Sequence, residues 1–317
     1  MEADLKNDGN ILFSEGPSLK TTDGSTAVNI AGDLRIPGYK DDRNNEARFR
    51  NITGFHQLNK QEVVIADNYN HCLRKVNHDT GVTSTFARRC GYEGVQDGPI
   101  GSALFYHPTG VFGPLGVHSH ESTNRDSKLK ELPLLGFLYV TDSGNMAIRG
   151  IHVKDGAVKT IVKSASLQGL SYYCPFLYSE RNVGGFVATN LGIMFINSEK
   201  PDEVTVAVGS TAGQDRSNTS SLFQMDPIFP RPQQFLLSGN HANDNNDITI
   251  IFLDGENSLK AARLGATEVK TACTGVAGDL DGTFSGCQLD HPSSLLAAHG
   301  DLFIGEQGAI RVIPGRL

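Results

Sequence analysis

One pattern recurs six times along the 317-residue chain: a run of β-branched or aromatic residues that ends in a carboxylate or its amide. The copies are NILFSEG (10–16), EVVIADN (62–68), FLYVTDS (137–143), GFVATNL (185–191), TIIFLDG (249–255) and DLFIGEQ (301–307). Their starts lie 52, 75, 48, 64 and 52 residues apart, the period of one small sheet carrying loop insertions of variable length. A four-stranded unit cannot bury both of its faces alone. The copies must therefore pack face to face around an axis, which predicts an all-β ring of six four-stranded antiparallel sheets.

The copy at 53–87 is the clearest. Residues 53–58 read as an inner strand, 63–67 as the second, 72–76 as the third and 82–87 as the outer one, with Asn77-His-Asp-Thr-Gly81 supplying hairpin residues. A long crossing, GYEGVQDGPIGSALFYHPTG (91–110), then returns the chain to the centre. Crossings of the same kind stand at 37–54, 209–227 and 277–294, each with an early glycine, one or two aspartates and an apolar residue before the next strand. Counting this way gives twenty-three strands. The last unit runs out after its third strand, AIRVI (309–313), so that blade is either incomplete or closed by a terminal strand. Thirty-five glycines spread along the chain suit this architecture and leave little room for long amphipathic helices.

At ADNYNHCLRKV (66–76) the sequence resembles an NHL repeat, in which Ala-Asp is followed by Asn-His and then an Ile-Arg or Leu-Arg pair. TDSGNMAIRGI (141–151) is similar, with Met146 where the family has histidine, and GEQGAIRVI (305–313) keeps the Ile-Arg end. The G-x-x-x-x-D-G crossings and the pairs His107-Pro108 and His291-Pro292 also resemble the family. The resemblance implies a six-bladed β-propeller forming one domain over 1–317, with blades at about 1–52, 53–106, 107–170, 171–223, 224–291 and 292–317. It implies no single function, because such propellers include RNA-binding and ubiquitin-ligase adaptors, surface ectodomains and an amidating lyase.

Charge and hydropathy narrow the classes. A net charge of −7 argues against nucleic acid as partner, since a phosphate backbone needs clustered Lys and Arg, and the densest cationic stretch, 125–130, is interrupted by Asp126. No apolar run approaches the ~18 residues that span a bilayer, so membrane insertion of this segment is not expected. The first residues carry no secretory h-region, which fits either a cytoplasmic chain or a mature or trimmed segment. The sequons at Asn51 and Asn218, as glycosylation candidates, point to the extracellular or cell-surface alternative. Cys273 and Cys287 bracket a glycine-rich loop and form the disulfide candidate. Cys72 and Cys90 flank the 77–81 turn about three residues out of direct opposition, and Cys174 is left over, so paired and buried-thiol readings both stand.

The six motif ends, Glu15, Asp67, Asp142, Asn190, Asp254 and Glu306, are the sharpest site candidates. Converging on a central channel, their oxygens would suit calcium, which takes six to eight oxygen ligands. The competing reading is structural. Asp67-x-x-Asn70 and Asp142-x-x-Asn145 offer a carboxylate to backbone N–H groups of their own turn and to the arginine seven positions on, Arg74 or Arg149. A zinc lyase of the propeller kind would need three imidazoles at the axis; His107 and His291 sit at matching starts of inner strands, and two are not three. His71 follows the NHL pattern, so packing or bonding at the turn is its simplest role. Polar insertions at 117–133 and 239–247 join first to second strands and share one face. They make His118, His120, Glu121, Asn240 and His241 partner-binding candidates, or else tolerated loop residues. The leading expectation is a non-catalytic, secreted or surface module that binds a protein or glycan. A metal-dependent hydrolase or lyase with an axial Ca or Zn, and an RNA-binding adaptor, are the alternatives.

Overall fold

The computed structural model describes residues 1–6, 9–87, 90–113, 137–177, 183–190, 192–197, 200–209, 234–238, 249–253, 257–263, 269–273, 278 and 287–314. The chain divides into two compact units, Glu2–Ala165 and Ser166–Leu317, the second also taking in Met1.

The N-terminal unit holds three antiparallel sheets. The first runs β1 (Glu2–Ala3), β2 (Ile11–Glu15), β3 (Ser18–Thr22) and β4 (Ala27–Gly32). The second runs β5 (Ile52–Gln57), β6 (Glu62–Asp67), β7 (Cys72–Asn77) and β8 (Thr83–Thr85). In the third, β10 (Pro108–Phe112), β11 (Phe137–Asp142), β12 (Ala147–His152) and β13 (Ala157–Lys163) are edged by the two-residue β9 (Gly98–Pro99), which pairs outside β13. The C-terminal unit repeats the pattern. Its sheets are β14 (Tyr172–Leu177), β15 (Val183–Thr189), β16 (Gly192–Asn197) and β17 (Lys200–Gly209); then β18 (Phe235–Ser238), β19 (Thr249–Leu253), β20 (Leu259–Arg263) and β21 (Val269–Thr271); then β22 (Ser294–Ala298), β23 (Asp301–Glu306) and β24 (Ala309–Ile313).

The expected small antiparallel sheets recur, with a fifth strand added to the third and the last one short, as the sequence reading of the final unit allowed. Five sheets carry four strands or more, and the last carries three among the described residues. Pro314 follows β24 directly and has no N–H to extend a ladder. The N-terminal strand β1 pairs with β2 of the first sheet.

The second strands β6, β11 and β19 have runs of apolar residues at their middles because these are buried on both sides. Successive side chains of a strand point to opposite faces. Val63 and Ile65 of β6 therefore pack with Leu12, Leu19 and Ile30 of the first sheet, while Val64 and Ala66 pack with Val111, Leu138 and Val140 of the third. In the C-terminal unit, Ile250 and Phe252 of β19 join Phe186 and Ile193, whereas Ile251 and Leu253 join Leu295, Leu302 and Ile304. Each fully buried aliphatic side chain in these layers contributes about 2–3 kcal/mol from removal of apolar surface from water. The crossings seal the seams: Ala47 and Phe49 close the first, Ala103 and Phe105 the second.

Candidate functional site

The turns that join second to third strands are built alike in the second and third sheets. Each is one turn of 3-10 helix, Asn68–Asn70 and Ser143–Asn145, ended by a residue in the left-handed region, His71 (φ 54°, ψ 34°) and Met146 (φ 51°, ψ 47°). Behind each turn lies a buried clamp. Asp67 accepts bonds from the N–H of Arg50 (2.9 Å), from Asn70 Nδ2 (2.7 Å) and from Arg74 Nη1 (3.1 Å). Arg74 also donates to the carbonyls of Arg48 (3.0 Å) and Lys40 (2.9 Å) and to Asp41 (2.6 Å). The third sheet repeats this bond for bond. Asp142 accepts from Tyr106 N–H (2.7 Å), Asn145 (2.8 Å) and Arg149 (2.9 Å), and Arg149 reaches the carbonyls of Leu104 and Gln96 and the Asp97 carboxylate (2.8 Å).

Burial pushes the Asp67 and Asp142 carboxyls above the usual carboxylate range, against the pull of these donors and of the arginine charge. Asp97 goes the other way. Burial opposes its ionisation, but the Thr160 N–H and hydroxyl and the Arg149 guanidinium hold it below the ordinary value. Asp41 and Asp97 thus tie each crossing to the third strand by the arginine and to the outer strand by Thr85 and Thr160. Their role was missed in the sequence, although the aspartate recurring in each crossing was its trace.

The six motif ends do not share one environment. Asp67 and Asp142 are fully buried in their clamps. Glu15 pairs with Lys20 at 2.5 Å and Glu306 with Arg311 at 3.0 Å, each five residues on. Burial raises the Glu306 carboxyl, with Arg311 opposing. The Asn190 side chain lies against Gly169, where an added Cβ would come within 2.1 Å of it. Asp254 lies outside the described residues. Among the described residues no three His, Cys, Asp or Glu side chains converge as metal ligands.

A second grouping is more open to a ligand. The His71 and His107 rings stand 4.4 Å apart and near perpendicular; Tyr106 lies 4.8 Å from His107, and Tyr69 lies 5.6 Å from it edge-on. Tyr69 is 52% exposed, and the other three are partly exposed. Asn68 anchors the group: its Nδ2 donates to Pro108 O (3.0 Å) and its Oδ1 faces His107 Nδ1 (3.2 Å). The His107 N–H donates to His71 Nδ1 (3.3 Å). Burial lowers the His71 pKa, as do the nearby His107 and Arg50, while Glu93 works against them.

Two disulfides are formed. Cys273–Cys287 is the expected one. Cys72–Cys90 corrects the register argument: β8 ends at Thr85, and Gly91 N–H then bonds to Asn70 O, which brings the two Cα atoms to 4.9 Å. Cys174 lies on β14. Asn51 is described and half-buried, with its N–H directed at Asp67. His118, His120, Glu121, Asn240, His241 and Asn218 lie outside the described residues.

No protein-family model matches the chain, and no curated protein matches it significantly. Solved structures do. An auxiliary nutrient binding protein from Bacteroides ovatus ATCC 8483 superposes with a TM-score of 0.59 at 12% identity, over 94% of this chain and 63% of that one. A nidogen/laminin complex matches with a TM-score of 0.51 at 10% identity, over 96% of this chain and 88% of that one. The chain therefore spans less than two thirds of the first of these proteins. At such identities the likeness shows the fold alone: the chain is an all-β propeller of small antiparallel sheets.

Proposed function

We propose that the chain is a non-catalytic binding propeller of NHL type, one domain of six blades, whose partner is a glycan met outside the cell. The observation that carries this reading is the ring cluster of Tyr69, His71, Tyr106 and His107. Its partly exposed rings offer a surface on which the C–H face of a sugar stacks, while the ring and amide edges supply polar contacts. Aromatic lining with a few fixed polar groups is the usual make-up of small-molecule sites. Two disulfides support an oxidising compartment, and the nutrient-binding protein among the similar folds supports ligand capture. The clamped arginines support a rigid frame behind the cluster, since they bind the turns and crossings that carry it.

A glycan array probed with the purified chain and with Tyr69→Ala tests this. Binding to a defined glycan set, weakened at least about tenfold in Tyr69→Ala with unchanged thermal stability, is the expected result. Glycan binding that ignores Tyr69 would move the site elsewhere. Absence of binding to any glycan would end the reading.

A further inference from the structure

The cluster contains a junction whose protonation states the hydrogen bonds fix. A backbone N–H can only donate, so His71 Nδ1, which faces the His107 N–H at 3.3 Å, is an unprotonated acceptor, and the proton of neutral His71 resides on Nε2. Asn68 is oriented by the bond from its Nδ2 to Pro108 O, so its Oδ1 faces His107 and the proton of neutral His107 is on Nδ1. The two imidazoles are therefore not equivalent. Protonating His107 adds an N–H at the free Nε2 and costs no bond. Protonating His71 places an N–H against another N–H.

The bond at risk holds a strained residue. A residue before proline favours extended backbone, yet His107 has φ +49°, in the left-handed region that side chains other than glycine adopt at a cost. The titratable and charged groups around His71 are His107 and Tyr106 from the segment leading into β10, Glu93 from the start of that crossing, Arg50 from the segment leading into β5, and Tyr69 on its own turn.

The C-terminal unit contains the same junction with a different acceptor. His291, also before a proline, has φ +47°, and its N–H donates at 2.8 Å to the side-chain Oδ1 of Asn257, itself in the left-handed region at φ +62°. An amide oxygen accepts at any pH. The two junctions are thus a titrating and a non-titrating version of one device.

We propose that His71 is a proton-operated latch: at neutral pH its Nδ1 holds residue 107 at the start of β10, and acidification releases it. Burial and the neighbouring His107 favour neutral His71 in the fold, so its folded pKa lies below 6.5. The sign follows. The opened form binds the proton more readily, so the closed latch loses stability as pH falls below about 6.5 and is fully closed above it. The latch stands whatever the ring cluster binds.

Nitrogen-15 NMR of labelled histidine at pH 7.5 gives the first test, with His71 expected as the Nε2–H tautomer. Hydrogen exchange of the His107 amide, corrected for the intrinsic rate, gives the second. Its protection should fall by up to about tenfold per pH unit between pH 6.5 and 5, the linkage of one proton, while the His291 amide stays level. His71→Asn copies the Asn257 junction and should flatten the His107 profile. An Nδ1–H tautomer for His71 at pH 7.5, or equal pH dependence at His107 and His291, would overturn the latch even if His71→Asn did not fold. An unchanged slope in a folded His71→Asn would do the same.

Discussion

Arg74→Ala removes the centre of the second-sheet clamp, and the structure gives the magnitude of the loss. The guanidinium is fully buried and donates to Asp67, to two backbone carbonyls and to Asp41. Without it, Asp67 keeps Asn70 and backbone N–H donors but no counter-charge, and the carbonyls of Lys40 and Arg48 lose a donor. Deleting one partner of a buried pair costs about 3–5 kcal/mol. The contacts of the guanidinium with the Tyr39 and Phe49 rings, at 4.8 and 5.1 Å, add up to about 1 kcal/mol. Asp41 is 43% exposed, so water replaces the arginine there at little cost. The expected loss is about 4 kcal/mol, which at an m-value near 2 kcal/mol/M moves the urea midpoint of the N-terminal unit down by about 2 M. Arg149→Ala should lose a similar amount, because Asp142, Asp97 and two carbonyls repeat the geometry. Arg74→Lys keeps the charge but not the fork, and its stability should fall between those of the unsubstituted chain and Arg74→Ala. A loss below about 1 kcal/mol in Arg74→Ala, the size of an exposed ion pair, would refute the clamp as a structural centre.

Three further predictions follow from separate features. Gly32 (φ +92°) and Gly24 (φ +91°) share the same positive φ, but a Cβ at Gly32 would lie 2.1 Å from Pro17 O while one at Gly24 meets nothing within 4 Å; Gly24→Ala should cost about 1 kcal/mol and Gly32→Ala about 3 in denaturant titrations, and equal losses would show that the positive φ alone matters. The disulfides close separations of 18 and 14 residues, so Cys72→Ser and Cys287→Ser should each lose about 3 kcal/mol, read as lowered melting temperatures that a reductant no longer changes at that bridge. Burial opposes ionisation of Asp4, but His78, the Lys6 N–H and the Thr21 hydroxyl hold its pKa well below 3.8; that stabilisation is present above pH 3.8 and is lost on acidification, so Asp4→Asn should melt lower at pH 7 and show a shallower fall in melting temperature below about pH 4.

Much of the clamp was legible because its core is local. Asp67, Asn70 and Arg74 fall within eight residues, and Asp142, Asn145 and Arg149 repeat the spacing, so the turn and its arginine show in the residue order. Asp41 and Asp97 did not, since they meet their arginines across 33 and 52 residues, with no constant interval to reveal them. The surroundings of the carboxyl and amide motif ends were not legible for a related reason. A shared position at the end of a strand does not fix where a side chain goes: Glu15, exposed, turns to Lys20, whereas Asp67 folds back under its own turn. His71 and His107 each carry a signal in the residue order, one its motif and one its proline, but their 4.4 Å approach depends on the crossing between them.

The sequence by itself determined the sheets. Runs of β-branched and aromatic residues, turn residues such as Asn77-His-Asp-Thr-Gly81 and a recurring motif are properties of neighbours in the chain, and short-range sterics and burial on two faces suffice to read them. Tertiary structure alone decided which acceptor each distant N–H received. Asn257 and His71 both stand in the left-handed region, and only the approach of a backbone N–H from another segment turns the amide of one into a junction indifferent to acid and the imidazole of the other into one sensitive to it. The physical reason is that a titrating group acquires its effect from the partner it meets, and that partner is chosen by packing.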